Sequence, residues 1–255
     1  MAVKTVGLLH PGEMGAAVGA VLRQQGVPVV WASEGRSAET RKRAEAAGLE
    51  DVGSAAKVGR SDVVLSICPP HAALEVARSL GSLNGLYVDA NAVSPDTARK
   101  VAGVVRAGGG EPVDGGIVGS PPIEAGTTRL YLSGPRARTV LELFAGSILD
   151  ARVVSDQVGA ASAVKMAYAA WTKGTAAMLL AIRELARAEG VEPALLEEWG
   201  LSQPGLLERS ERAARSADAK GWRWVGEMEE IASTFEAAGL PGGFHRAAAE
   251  VYRAG

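Results

Sequence analysis

Cysteine is almost absent from this chain: among 255 residues only Cys68 carries a thiol. An intramolecular disulfide is thereby excluded, and a cytoplasmic protein is expected. Histidine is scarce too. His10, His71 and His245 do not stand at the spacing of metal ligands, so no metal site is expected. No basic block disturbs the balance of 27 basic against 29 acidic residues, which removes the electrostatic footprint of sequence-independent nucleic-acid binding. Nor is any uninterrupted apolar run long enough to cross a bilayer, and Met1 to Leu9 lacks the length and flanks of a signal peptide. Expected partners are therefore small molecules, with neither nucleic acid nor membrane. Apolar residues are plentiful, at 47%, alongside 32 glycines. Such a composition suits a globular chain of one large domain or two modest ones.

The stretch from Asp156 to Gly190 organises the rest. Val164, Tyr168, Trp171, Thr175, Met178, Ile182 and Leu185 recur alternately four and three residues apart, which puts them on one face of a long helix. Ser155 or Asp156 is the expected cap, and Gly190 with Pro193 the expected stop. Core packing on this stripe accounts for Trp171. At about 1.5 Å per residue the helix reaches roughly 50 Å, enough to join two domains. Their expected limits are 1–154 and 155–255. The stripe is too long to be covered by the residues that follow it, so a homodimer is expected. Lys165 lies near the helix start among the small residues Gly159 to Ala163. On position alone it reads as an ordinary surface lysine.

Before this helix, short apolar runs alternate with helical patterns, which predicts an α/β fold with a doubly wound parallel sheet. Val3 to Leu9 reads as a buried strand and runs into His10-Pro11-Gly12-Glu13-Met14-Gly15 and then a helix. This strand–turn–helix carries two of the three glycines of a dinucleotide fingerprint, with His10 in the first glycine's place. Gly12, Glu13 and Met14 are placed to meet a pyrophosphate through backbone N–H groups. The second strand, Val27 to Ala32, ends at Ser33, with Arg36 and Ser37 close behind. An acidic residue there would suit NAD, whereas this cluster suits the 2′-phosphate of NADP, with NAD still possible. The strand Asp62 to Ile67 exits at Cys68-Pro69-Pro70, on the sheet edge where ligands collect, and Cys68 reads as a packed residue rather than a nucleophile. Leu86 to Asp89 is a further strand, followed by Asn91. Glu111 to Gly134 is dense in glycine and proline and reads as an irregular binding loop ending in the strand Thr128 to Ser133. Beyond Glu192 the pattern is helical, with segments Ala194–Trp199, Gly205–Ala217, Trp222–Glu236 and Phe244–Tyr252.

Taken together, these segments resemble the β-hydroxyacid dehydrogenase superfamily, which includes 6-phosphogluconate and 3-hydroxyisobutyrate dehydrogenases, and its imine reductase relatives. GLLHPGEMG from Gly7 is similar to the cofactor fingerprint, DANAVSP from Asp89 to the segment beside the nicotinamide, with Asn91 where serine is common. DGGIVGSPPIEAG from Asp114 is similar to the substrate loop. The resemblance implies a Rossmann-type domain followed by an all-α domain, and makes Lys165 in GAASAVKMAYA the general acid/base. Tyr168 and Ala169 fill the places of the family's asparagine. Asp114, where the dehydrogenases usually have serine, and the segment Tyr131 to Gly134 resemble the imine reductases more closely. The implied catalytic set is Lys165, Asp114 and Tyr168. The implied activity is NADP-dependent hydride transfer to or from a small hydroxy acid or related alcohol or carbonyl. The alternatives are an imine reductase and, third, an NADP(H)-binding protein without catalysis.

Overall fold

A computed structural model describes residues 3–254, which divide into two compact units, Met1–Lys165 and Met166–Gly255. The first unit alternates strand and helix: β1 (Val6–Leu9), α1 (Glu13–Gln24), β2 (Val29–Trp31), α2 (Ala38–Ala46), β3 (Glu50–Asp51), α3 (Ala55–Val58), β4 (Val63–Ser66), α4 (Ala73–Ser79), β5 (Leu86–Asp89), α5 (Pro95–Ala107), β6 (Glu111–Val118), β7 (Arg129–Ser133), α6 (Ala137–Glu142) and β8 (Asp150–Ser155). The strands form one sheet in the order β3-β2-β1-β4-β5-β6-β7-β8. Every neighbouring pair is parallel except β6–β7.

Both faces of this sheet are covered, which is why its inner strands read as unbroken apolar runs. Leu8, Leu65 and Val88 join Leu22 and Phe144 on one side, while Val64 and Tyr87 join Leu80, Val101 and Val105 on the other. Each fully buried aliphatic side chain contributes roughly 1.5–3 kcal/mol, so these two clusters, rather than exposed ion pairs, hold the unit together. β1 lies between β2 and β4. The chain therefore leaves β1 to one side and returns on the other, and the crevice at the carboxyl ends of β1 and β4 is the place where such folds bind ligands.

The segment expected as an irregular loop from Glu111 is instead the strand β6, eight residues long, and only the stretch up to β7 is irregular. Its glycines have a packing role. A Cβ on Gly116 would come within 2.8 Å of the Ala161 carbonyl oxygen and 2.9 Å of Lys165 Cβ, so glycine lets the following helix rest directly on the strand. That helix, α7 (Ala160–Ala188), has 29 residues and a length of about 43 Å. Its start is not capped by Ser155 or Asp156. The carboxylate of Asp114 on β6 accepts from the Gly159 and Ser162 N–H groups at 2.9 and 3.0 Å, and Ser133 Oγ on β7 accepts from Ala161 N–H at 3.0 Å. This anchoring carries the first turns of α7 into the first unit. At the other end Gly190 is left-handed, with φ 73°, and Val191 N–H closes onto the Ala186 carbonyl at 2.8 Å.

The second unit contains the remainder of α7 with α8 (Glu192–Ser202), α9 (Leu206–Ala237) and α10 (Gly243–Ala254). The two helices expected between Gly205 and Glu236 are one, because Gly221 does not break it. That glycine is buried inside the helix, and a Cβ there would meet Tyr252 Cδ1 at 3.6 Å, an ordinary contact. Tyr252 in turn donates its hydroxyl to the Lys173 carbonyl at 2.6 Å and meets Trp224 edge-on at 5.1 Å. Lys173 pairs with Glu227. The inner face of α7 here consists of Met166, Ala169, Gly174 and Ala177, all buried. The stripe of large apolar residues points away: Tyr168, Trp171, Met178 and Leu185 are exposed, Trp171 by 65%. Core packing within this chain therefore does not explain Trp171.

Candidate active site

The turn after β1 holds an unusual backbone. His10 has φ 62°, and it alone of the described non-glycine residues has a positive φ. Its carbonyl accepts from Gly12 N–H at 2.7 Å, and a Cβ on Gly15 would meet the same oxygen at 2.7 Å. The first glycine's place thus keeps a glycine-like conformation although histidine fills it. Pro11 is buried and Met14 half-buried against the sheet core. Gly12 is the N-cap of α1 with no side-chain cap, a Cβ on it would meet nothing within 4 Å, and Glu13 is exposed in the first turn. His10 Nδ1 is buried and has no hydrogen-bond partner among the described residues. Burial, and then the nearby Arg36 guanidinium, hold this imidazole down to a pKa of about 4, so it is neutral at neutral pH. An open helix N-terminus, a bare glycine and an unmatched ring nitrogen fit a dinucleotide at this edge.

At the end of β2 the expected cluster separates by role. Ser37 is the N-cap of α2, its Oγ accepting from Thr40 N–H at 3.2 Å. Ser33 is buried; its N–H donates to Asp51 Oδ1 at 3.1 Å, and its hydroxyl is the first cause holding the Asp51 carboxyl below the usual range. Arg36 is left as the cation, partly desolvated. A second one was not apparent in the sequence. Arg41 donates from Nη2 to the Ser33 carbonyl at 3.1 Å and from Nε to the Arg36 carbonyl at 3.4 Å. Only the four-residue spacing Ser37–Arg41 hinted that the first turn of α2 returns to this loop.

Asn91 ties the exits of β4 and β5 together. Its Oδ1 accepts from Cys68 N–H at 2.6 Å, and its Nδ2 donates to Ser66 Oγ at 3.1 Å and to Asp89. Cys68 is half-buried, and burial raises its thiol to about 11, so it carries no thiolate at neutral pH. Pro70 opens the single 3₁₀ turn Pro70–Ala72, and Pro69 is exposed beside it.

Further along the same sheet edge, Asp89 pairs in register with Asp114. Asp114 is buried and its oxygens are fully engaged: besides the two helix N–H groups it accepts from Ser133 Oγ at 2.8 Å and Ser162 Oγ at 2.6 Å. Its position makes it an anchor of α7. Lys165, half-buried, stands on that anchored stretch beside Gly116. Ser133, Ser162 and Gly116 thus set the lysine's position, and sequence spacing gave no sign of them. Tyr168 belongs to the second unit and is 47% exposed. Within that unit a cavity of about 500 Å³ lies between α7 and α9, lined by Trp171, Lys173, Leu179, Arg209, Arg212 and Trp224. Among the described residues no cluster of metal ligands occurs, and no helix is long and apolar enough to cross a membrane.

A glycine turn at the switch point of a mostly parallel sheet places the first unit among the dinucleotide-binding folds. Comparison with known proteins agrees. The chain is 32% identical over 198 residues to an uncharacterised 28.5 kDa protein in the 7S RNA 5′ region of Methanothermus fervidus, spanning 75% of this chain and 74% of that one. It is 30% identical to the conserved protein MTH1747, of unknown function and structurally similar to 3-hydroxyacid dehydrogenases, over 98% of this chain and 97% of that one (TM-score 0.70). Two further structures share the fold: 3-hydroxyisobutyrate dehydrogenase from Salmonella typhimurium, at 18% identity over 98% and 93% (TM-score 0.74), and a reductive aminase from Aspergillus terreus in complex with NADPH and ethyl levulinate, at 20% over 99% and 94% (TM-score 0.63). Residues 186–255 match a domain of unknown function, DUF1932. The chain belongs to the β-hydroxyacid dehydrogenase superfamily, with DUF1932 as the C-terminal domain.

Proposed function

We propose that this chain is an NADP-dependent oxidoreductase that interconverts a small hydroxy acid, or a related alcohol, and its carbonyl, with Lys165 as general acid/base. The observation that carries this reading is the effort spent on Lys165. Two side chains from β6 and β7 tie down the helix that bears it, and Gly116 keeps the strand beneath it bare. When bound, the nicotinamide supplies or accepts the hydride. Glu13 and Met14 offer backbone N–H groups to the pyrophosphate, while Pro11, Gly15 and the Gly12 N–H bonded to the His10 carbonyl fix the turn. Cys68, Pro69, Pro70 and Asn91 form the wall at the exits of β4 and β5, and Asn91 holds that wall in shape. Lys165 takes the hydroxyl proton in oxidation and returns it to the oxygen in reduction. Tyr168, one turn further along, is assigned to the substrate side.

Arg36 supports the choice of NADP. It is a cation at the end of β2 where Ser33 and Ser37 are engaged, and Asp51 on the neighbouring strand β3 already holds Ser33. The imine reductase reading has one feature in its favour, the carboxylate of Asp114 in place of serine. Its oxygens are taken up by the start of α7, which leaves them poorly placed to balance an iminium, so carbonyl chemistry is preferred. A homodimer also belongs to this proposal. Tyr168, Trp171, Met178 and Leu185 form an exposed apolar stripe that a second copy would cover. The decisive experiment is a panel of hydroxy acids, aldehydes, ketones and cyclic imines, each assayed with NADPH/NADP and NADH/NAD. Turnover of hydroxy acids or carbonyls with a preference for the phosphorylated coenzyme is expected. Turnover of imines alone would transfer the protein to the second reading.

A further inference from the structure

A residue held in a left-handed conformation without being glycine is a cost, and such costs persist where the side chain has a use. His10 is in this position. Its φ is 62°, and the turn it makes is one that glycine would make without strain. The structure around it does not repay the expense, because the ring's Nδ1 is buried with no hydrogen-bond partner among the described residues. The ring follows β1 at the switch-point crevice, and Arg36 from the end of β2 is its charged neighbour. In folds of this kind the end of β2 is where the adenosine ribose is read.

We propose that the His10 side chain is a coenzyme-selecting element: with Arg36 it holds the 2′-phosphate of the adenosine ribose, the ring donating a hydrogen bond and the guanidinium supplying charge. This rests on the NADP reading above and extends it from the loop after β2 to the turn after β1. A neutral donor beside the Arg36 guanidinium suits a phosphate, whose oxygens only accept, better than it suits a ribose hydroxyl already satisfied by water. The first position of the turn then contributes specificity, a role separate from the pyrophosphate contact made by the backbone N–H groups that open α1.

The test uses the full chain and reads binding, not turnover. Wild type, His10→Gly, His10→Asn and Arg36→Ala are titrated calorimetrically with NADPH and NADH, and with the fragments 2′,5′-ADP and 5′-AMP, which contain only the adenosine end. His10→Gly removes the ring and relieves the backbone, so its melting temperature should hold or rise by about 2 °C. Its affinity for NADPH and 2′,5′-ADP should fall about 10- to 100-fold, as expected for a lost hydrogen bond to a charged group, with NADH and 5′-AMP changed less than about threefold. His10→Asn, which tolerates the left-handed backbone and restores a donor, should recover part of that loss. Unchanged NADPH affinity in His10→Gly, or an equal loss for both coenzymes, would overturn the proposal while leaving the NADP reading standing. A wild-type preference for NADH and 5′-AMP would overturn the NADP reading itself, and the proposal with it.

Discussion

Asp114 offers the sharpest separation between structure and chemistry at this site. Replacing it with alanine would strip four hydrogen bonds at once, from Gly159 N–H, Ser162 N–H, Ser162 Oγ and Ser133 Oγ. Hydrogen bonds to a charged group contribute about 1.5–3 kcal/mol each, but the four are not additive, and water refilling the gap recovers part of the loss. A net destabilisation of about 3–5 kcal/mol is expected, the range seen when a buried network loses its centre. At about 2–4 °C per kcal/mol for a chain of this size, the melting temperature should drop by roughly 10 °C. Asp114→Asn separates the roles. The amide oxygen can take the place of Oδ2, and the amide nitrogen can face Ser162 Oγ, which accepts once its hydroxyl turns. An anchor should therefore survive this change with a loss of about 1–2 kcal/mol and activity within about tenfold. Urea unfolding followed by circular dichroism gives the first quantity, and steady-state kinetics on the same samples the second. A hundredfold loss of turnover in Asp114→Asn at unchanged stability would show that the carboxylate acts in the chemistry, and the anchoring account would be wrong.

Other consequences can be checked with less effort. The Cys68 thiol, pushed up to about 11 by burial, should react with iodoacetamide only slowly at pH 7 and faster as pH rises toward that value, and Cys68→Ser should retain activity; rapid labelling at pH 7 would contradict the packing account. His10 has a folded pKa of about 4, below the unfolded 6.5, so the unfolded state binds the extra proton between those values. The stability difference between His10→Gly and wild type should therefore widen in favour of the variant as pH falls from about 6.5 to 4 and be constant above. Equal slopes in that window would remove the basis for a neutral ring. Sedimentation of wild type should report a dimer at micromolar concentration, and the double variant Trp171→Glu, Leu185→Glu should shift it toward monomer while remaining helical. A wild-type monomer would leave the stripe unexplained.

How much of this was legible beforehand depends on whether the cause was local. Leu86 to Asp89 was readable as a strand to the residue, since a short buried parallel strand writes itself as an apolar run between glycine and a loop. The glycine turn after β1, the capped start of α5 at Ser94–Pro95 and the stop at Gly190 were local as well. Whatever depended on a partner far along the chain was not. β6 contains Pro112, Gly115 and Gly116, which argue against a strand until one sees that the two glycines admit Ala90 and α7 against the sheet. Asp114 looked like an acid in a loop because the N–H groups that define its role lie 45 and 48 residues away. Gly221 looked like a break between helices because glycine is a poor helix former, yet α9 runs through it. The α7 stripe shows a third kind of limit. Periodicity reports that one face is apolar, but the face packed within the chain is the one with Met166, Ala169, Gly174 and Ala177, while Tyr168, Trp171, Met178 and Leu185 are exposed.

The central claim is that Lys165 moves the proton. Lys165→Met keeps the length and apolar stem of the side chain and removes its exchangeable protons, so it should leave NADPH affinity within about threefold of wild type and lower kcat for the best carbonyl or hydroxy acid substrate by about 10²–10⁴, the usual contribution of a positioned acid/base. Binding by calorimetry and turnover by NADPH absorbance on one preparation settle the matter. A variant that binds the coenzyme and still turns over within about tenfold of wild type would contradict the account.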